Sequence, residues 1–188
     1  MDNSKNLHCL FQYSGMEAFN LLEYDGSLSV EDLKKYGDFG LGCFNALDGE
    51  LIAFDNQFFH ATADGQLNPA SSSSLVSCVY MVHFQPQYTI SMEKPFGLKD
   101  LQEIVKPLIS HPGEPFYAIS IMGFFEQINL RSVPSQQAPY PPIGEVVKNQ
   151  ALFEYNNLNG RMVGFHFPAY LNGFVKRHAK VTPWRHEK

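Results

Sequence analysis

The chain has 188 residues, about the length of one domain, and its 19 acidic against 14 basic residues give a net charge of −5. No basic run is long enough to follow a phosphate backbone, which argues against nucleic acid as a partner, and no apolar run approaches the roughly 18 residues of a membrane span. The three cysteines are widely spaced with no CxxC motif, and the amino terminus has no apolar signal segment, so we expect a single cytoplasmic unit over residues 1–188 with reduced thiols.

Residue patterns in the first half of the chain predict strands joined by tight turns, together with a helix. Ser29, which is followed by acidic residues, is typical of a helix N-cap. Strand-forming runs at residues 41–47 and 50–54 flank Asp48-Gly49, a dipeptide that readily supplies two residues with positive φ. We therefore expect a tight hairpin here, followed by a longer strand over residues 75–84.

The second half predicts one helix and further strand pairs. Apolar residues recur at helical spacing over residues 98–108. Residues 117–122 and 127–133 have the character of two paired strands that turn around Gly123. Asn159-Gly160 has the composition of a second hairpin turn.

Two segments differ in composition from the rest. Residues 134–142 contain four prolines, so we expect irregular structure there and place the best internal subdivision near it. Residues 174–188 are basic without apolar periodicity and are expected to form an atypical, unanchored tail. Together the elements predict an α+β fold of mostly antiparallel or mixed β-sheet meanders with a few helices covering one face.

Three side chains are candidates for chemistry. Glu50 follows the predicted turn at the start of a strand, where its carboxyl group either projects into a cleft as an acid or base or faces solvent. Arg131 lies in a strand pattern with few other charges, which suits recognition of a carboxylate or pairing with a structural one. Cys43 is interpreted as a core thiol rather than a nucleophile, because no histidine is near it in the sequence.

The seven histidines form no His-x-His or His-Glu-x-x-His cluster. His60 and His83 fall in strands, where a hydrogen-bonded, half-buried imidazole is more usual than a metal ligand. Residue spacing alone therefore predicts no metal site.

Several ordered motifs resemble the bacterial alpha-acetolactate decarboxylase family. The first is GDFGLGCFNALDGELIAF at residues 37–54. Later blocks, at spacings compatible with that family, are FQPQY at 84–88, RSVP at 131–134, QAPY at 137–140 and VGF at 163–165 followed by Pro168. The resemblance covers about residues 15–173.

The resemblance implies a function and roles for the candidate residues. The family converts 2-acetolactate, a small 2-hydroxy-3-keto acid, to acetoin and carbon dioxide with a zinc ion held by three histidines, and it suggests a homodimer. Glu50 matches the family's glutamate and is a candidate proton donor, while Arg131 matches its arginine and is placed to hold anionic oxygens. Cys43 stands where the family has threonine, so it corresponds to a substrate-positioning group that donates a weaker hydrogen bond.

The carboxyl-terminal end departs from the family pattern. The family continues with Gly-Tyr-His-x-His-Phe and Gly-Gly-His, which supply the zinc ligands, whereas an ungapped alignment from Gly164 puts Lys180 and Thr182 at the His-x-His positions. We therefore assign no metal ligand and expect zinc binding to be weak or absent. The alternatives are an active decarboxylase, a metal-free member that only binds a small molecule, and an aromatic-rich binding module in which Glu50 and Arg131 are structural.

Overall fold

The computed structural model describes residues 9–105, 107, 116–167 and 178–183, and arranges them as two antiparallel sheets with short helices. The larger sheet contains β1 (Phe11–Tyr13), β2 (Leu28–Ser29), β3 (Phe39–Phe44), β4 (Glu50–Phe54), β5 (Gln57–Ala61), β6 (Leu67–Pro69) and β7 (Leu75–Val82). The smaller sheet contains β8 (Tyr117–Ser132), β9 (Ala151–His166) and β10 (His178–Pro183). The helices are α1 (Met16–Asn20), α2 (Val30–Leu33), α3 (Leu98–Val105) and α4 (Ile143–Lys148). This architecture confirms the α+β fold class.

The core lies on both faces of the larger sheet, whose strand order is β1-β7-β3-β4-β5-β6 with β2 also paired to β7. Side chains alternate along β3, β4 and β7, so each strand supplies both faces. Val79 of β7 packs with Leu33 of α2 on one face. Leu41 and Tyr80 pack on the other face against Val163 of the smaller sheet. The helices therefore cover both faces of the larger sheet. Helix α2 packs on one face, and α1 and α4 pack on the other, near Cys43 of β3.

The predicted hairpin between β3 and β4 is confirmed, with Cys43 and Glu50 as Cα partners in an antiparallel pair. Its turn differs from the prediction. Residues Asn45–Leu47 form a 3-10 turn in which two residues have positive φ. Gly49 also has a positive φ of 68°, whereas Asp48 has a φ of −70°. The connection is therefore longer than a two-residue Asp-Gly turn.

Hydrogen bonds to other segments explain this longer turn. Ala46 donates its N–H to the carbonyl oxygen of Tyr24 at 2.9 Å, and its own carbonyl oxygen accepts from the N–H of Gln136 at 2.8 Å. The side-chain oxygen of Asn45 accepts from the N–H of Gly26 at 2.7 Å. These contacts come from chain positions far from the turn, so local turn chemistry could not predict them.

The two predicted turns of the second half are wrong. β8 and β9 each run for 16 residues and pair along nearly all of that length, with Gly123 opposite Gly160. Neither glycine has the positive φ of a turn. Asn159 and Gly160 pair with Phe124 and Gly123 of β8, and from Gly160 onward β9 also pairs with β10, so the strand continues through this dipeptide.

The predicted helices agree better with the structure. Ser29 caps α2, because its hydroxyl oxygen accepts the N–H of Asp32 at 3.2 Å. The helix predicted over residues 98–108 is present as α3. In the described part of the chain, none of the helices has both the length and the apolar character that crossing a membrane requires.

The two segments of unusual composition have different outcomes. Residues 134–142 have no regular structure, as predicted, and the subdivision near them stays a prediction. The tail predicted over residues 174–188 is not wholly unanchored, because His178–Pro183 forms β10 on the edge of β9. Edge pairing uses backbone groups and needs no apolar periodicity. The rest of that tail lies outside the described residues.

Candidate functional site

A cleft of about 120 Å³ lies at one end of the larger sheet. Its floor is formed by side chains of three neighbouring strands, namely Leu41, Cys43, Glu50, Cys78 and Tyr80. Its walls are formed by six apolar side chains, namely Met16, Phe19, Leu47, Val133, Ile143 and Val147. A mostly apolar cleft with a few polar groups is the usual composition of a small-molecule site.

Glu50 reaches the cleft because the 3-10 turn places it as the first residue of β4, directly opposite Cys43. It is half-buried, which fits a cleft position rather than the solvent-facing alternative. The residue before it is held in place, since Gly49 donates its N–H to the carbonyl oxygen of Val133 at 2.9 Å. The backbone that carries the carboxyl group is therefore fixed from two sides.

His60, on the neighbouring strand β5, contacts the same turn. Its Nε2 lies 2.6 Å from the carbonyl oxygen of Asp48, and its ring packs on Phe44 with centroids 4.2 Å apart. A Cβ atom at position 49 would lie 2.9 Å from Nε2, so Gly49 is required for this close approach. His60 is thus a hydrogen-bonded, half-buried imidazole, as the sequence predicted.

Arg131 enters the cleft from the smaller sheet, near the end of β8. Among the described residues its hydrogen-bond partner is the side-chain oxygen of Gln150, at 3.4 Å from Nη1, and not a structural carboxylate. The structure therefore brings Glu50 and Arg131 to one cleft, which agrees with the family resemblance, in which both match active-site residues. Their chemical roles stay predictions.

Cys43 is buried, and its Sγ lies 3.3 Å from Sγ of Cys78. The hydrogen bond with Cys78 and then burial raise the pKa of the Cys43 thiol well above its usual value, with a further contribution from the Glu50 carboxylate. A thiol that stays protonated is a poor nucleophile, which agrees with its interpretation as a core thiol.

Sequence reasoning missed two cleft residues, Cys78 and Tyr80. Both lie on β7 at positions that share a face with Cys43, and this can be known only once β3 is paired with β7. Burial raises the pKa of Tyr80 far above its usual value, so its phenol is neutral. Tyr80 also contacts Phe167, with ring centroids 5.2 Å apart, and links the cleft floor to the core between the sheets.

The donor set in the described residues does not fit a zinc ion. In the ranges that the structure describes, no three His, Cys, Asp or Glu side chains gather closely enough to hold a metal. A catalytic zinc site needs about three protein ligands. The cleft floor offers one carboxylate and two thiols that are already hydrogen-bonded to each other, and His60 is engaged by Asp48.

The structure is an antiparallel α+β fold with a mostly apolar cleft that carries a few polar groups. Comparison with known proteins identifies the family. The sequence profile of the alpha-acetolactate decarboxylase family matches residues 10–179. The chain is 39% identical over 166 residues to the alpha-acetolactate decarboxylase of Methylococcus capsulatus, covering 88% of this chain and 64% of that protein. It is 36% identical over 166 residues to that of Bacillus subtilis, covering 88% and 65%. The chain therefore belongs to the alpha-acetolactate decarboxylase family.

Solved structures agree with this assignment. The crystal structure of alpha-acetolactate decarboxylase from Bacillus subtilis strain 168 superposes with a TM-score of 0.87 at 34% identity, covering 93% of this chain and 75% of that one. A Staphylococcus aureus protein of unknown function, described as similar to alpha-acetolactate decarboxylase, has a TM-score of 0.85 at 21% identity and supports the fold alone. The chain spans 64% and 65% of the two curated relatives named above.

Proposed function

We propose that the cleft binds a small 2-hydroxy-3-keto acid of the 2-acetolactate class and that the associated reaction is its decarboxylation to acetoin and carbon dioxide. The observation that carries the proposal is that Glu50 and Arg131, far apart in the sequence, line the same cleft. The family assignment supports the same substrate class, because the relatives are named alpha-acetolactate decarboxylases.

The cleft matches the chemistry of such a substrate. Its apolar walls suit the two methyl groups, and its small volume suits a molecule of a few heavy atoms. The guanidinium group of Arg131 presents a planar set of donors that fits a carboxylate or another anionic oxygen. Gln150 restricts where that group can point, through the hydrogen bond to its Nη1.

Glu50 is proposed to supply a proton. When carbon dioxide leaves a 3-keto acid, the bonding electron pair moves toward the ketone, and a proton must later reach the carbon that lost the carboxylate. The carboxyl group of Glu50 on the cleft floor is placed to deliver this proton to one face of the substrate. The turn held by Gly49 and Val133 keeps the donor in a fixed position.

A second candidate function is binding without turnover. The family resemblance implies a zinc ion, which would stabilise the negative charge that develops on the ketone and hydroxyl oxygens. The described residues do not provide its ligand set. This observation favours a chain that retains a substrate-shaped cleft and binds its ligand without rapid chemistry.

The test measures binding and turnover separately. Binding is titrated by calorimetry with an analogue whose ketone is reduced to an alcohol, because this compound cannot lose carbon dioxide. Turnover is measured as acetoin formed from racemic 2-acetolactate. Arg131→Gln should weaken analogue binding by about tenfold or more, the usual cost of losing a charged hydrogen bond. Glu50→Gln should retain binding and lower any acetoin formation.

The matched control is Glu126→Gln, because Glu126 is exposed on β8 and does not line the cleft. It should change neither readout. Acetoin formation that depends on Glu50 supports the decarboxylase, and analogue binding without acetoin supports the second candidate. Absence of analogue binding by the folded chain overturns the proposal.

A further inference from the structure

Two thiols face each other on the floor of the cleft. Cys43 of β3 and Cys78 of β7 are Cα partners across an antiparallel strand pair, and their Sγ atoms are 3.3 Å apart. Opposed residues of antiparallel strands have Cα atoms about 4.5 to 5.5 Å apart, which lies within the roughly 4.4 to 6.8 Å at which disulfides close. Side-chain rotation can bring these sulfurs to bonding distance with little movement of either strand.

We propose that Cys43 and Cys78 form a reversible disulfide across the cleft floor when the chain meets a hydroperoxide. The bond joins two strands that are already hydrogen-bonded neighbours, so it fits the folded state. It does not depend on which ligand the cleft binds.

The cleft gives the oxidant a route to the pair. Both cysteines line it, and Cys78 is half-buried whereas Cys43 is buried. Cys78 is therefore the sulfur that meets the peroxide. Hydrogen peroxide is small enough for a cleft of about 120 Å³.

The chemistry balances in two steps. The Cys78 sulfur attacks one peroxide oxygen, the O–O bond breaks, and a sulfenic acid forms while the leaving hydroxide takes the Cys78 thiol proton to become water. The Cys43 thiol is a weak nucleophile, but its Sγ lies 3.3 Å from that of Cys78, so it is held in contact with the sulfenic sulfur. It attacks that sulfur and expels hydroxide, which takes the Cys43 thiol proton and leaves as a second water. Two thiols are oxidised by two electrons, and one peroxide is reduced to two waters.

Oxidation would change the cleft beside Glu50. Cys43 lies on β3 between its two Cα partners, Cys78 on β7 and Glu50 on β4. The disulfide would therefore lie next to the carboxyl group of Glu50. Both S–H groups would be lost as hydrogen-bond donors, and the Cys43 sulfur would be drawn toward β7. The redox state of the pair therefore sets the shape and polarity of the floor.

The experiment uses the full chain with Cys9→Ser, because Cys9 is an exposed thiol that could form bonds between molecules. The folded protein is treated with hydrogen peroxide, and any remaining thiols are alkylated in denaturant. It is then digested without reduction by a protease that cuts after glutamate. Cleavage after Glu50 separates Cys43 from Cys78, so a disulfide appears as a cross-linked peptide pair.

We expect the two thiols to be lost at the same rate, with a mass decrease of two hydrogen atoms and a cross-linked peptide pair. Dithiothreitol should restore both thiols fully. Cys43→Ser and Cys78→Ser in the same background should each abolish the cross-link. Oxidation of Cys9 in the wild-type chain, treated in parallel, shows that the peroxide dose is sufficient to oxidise an exposed thiol. If both cleft thiols survive conditions that oxidise Cys9, or if Cys78 gains oxygen atoms without cross-linking, the proposal is overturned.

Discussion

Gly49 donates its backbone N–H to the carbonyl oxygen of Val133 at 2.9 Å, and this hydrogen bond is one of those that join the two segments that carry the candidate site. Glu50, the first residue of β4, follows Gly49 directly. Arg131, near the end of β8, lies two residues before Val133. The bond helps to explain how Glu50 and Arg131, distant in the sequence, line one cleft. The site therefore depends on the conformation of the turn that contains Gly49.

Replacing Gly49 should therefore destabilise the fold. Gly49→Ala forces an alanine into a φ of 68° and places its Cβ against the carbonyl oxygen of Ala61 and the ring of His60. We expect the free energy of unfolding to fall by at least about 1 to 2 kcal/mol, measured by urea denaturation. Gly144→Ala is the control, because nothing lies within 4 Å of a Cβ there and the position is inside α4. Equal stabilities of the two variants would contradict the requirement for glycine at position 49.

Removing the His60 ring should loosen the same turn. His60→Ala leaves the carbonyl oxygen of Asp48 without its 2.6 Å partner and opens space beside Phe44. The expected loss is about 1 to 3 kcal/mol of unfolding free energy, the usual cost of an unpaired acceptor. His83→Ala is a matched control, since His83 is similarly half-buried and lies just after β7. A smaller loss for His60→Ala than for His83→Ala would disprove the supporting role.

The cap of α2 should contribute a pH-dependent term to stability. Hydrogen bonds from Lys35 and then Ser29 lower the pKa of Asp32 from 3.8 to about 2. Because the pKa is lower in the folded state than in the unfolded chain, the stabilisation is present above pH 3.8 and is lost as the pH falls toward 2. Wild type should exceed Asp32→Asn in unfolding free energy at neutral pH. That difference should shrink across this acidic interval, and a constant difference would contradict the assignment.

The sequence predicts local features well where one segment contains all the information. The Ser29 cap and the β3–β4 hairpin depend on neighbouring residues, and both are present. The site pair Glu50 and Arg131 was located through ordered motifs, since spacing alone left each residue with a structural alternative. Motif order carries long-range information that periodicity does not.

The failures have a common physical cause. Asn159-Gly160 has turn chemistry, yet both residues pair with β8 inside a long antiparallel strand and stay extended. The part played by Cys78 depends on its register with Cys43, which is set by packing across the whole sheet. Register and tertiary pairing decide these positions, and neither can be read from the residues nearby.

The last prediction concerns zinc. In the part of the chain that the structure describes, no group of three potential ligands is assembled, so we expect the purified 188-residue chain to hold much less than one zinc per molecule after dialysis. Without a Lewis acid the developing negative charge loses several kcal/mol of stabilisation, and each 1.36 kcal/mol costs about tenfold in rate. Acetoin formation should then be lower by orders of magnitude than that of a zinc-loaded relative assayed in parallel.

The measurements are metal analysis by mass spectrometry and the acetoin assay on the same preparation. A chimera that adds a family-like segment with Gly-Tyr-His-x-His-Phe and Gly-Gly-His should recover both zinc and turnover if the cleft is intact. Recovery of zinc without turnover would point to Cys43, and Cys43→Thr in that chimera would test it. Stoichiometric zinc and rapid acetoin formation by the unmodified chain would refute the prediction, and would mean that residues outside the described ranges complete the metal site.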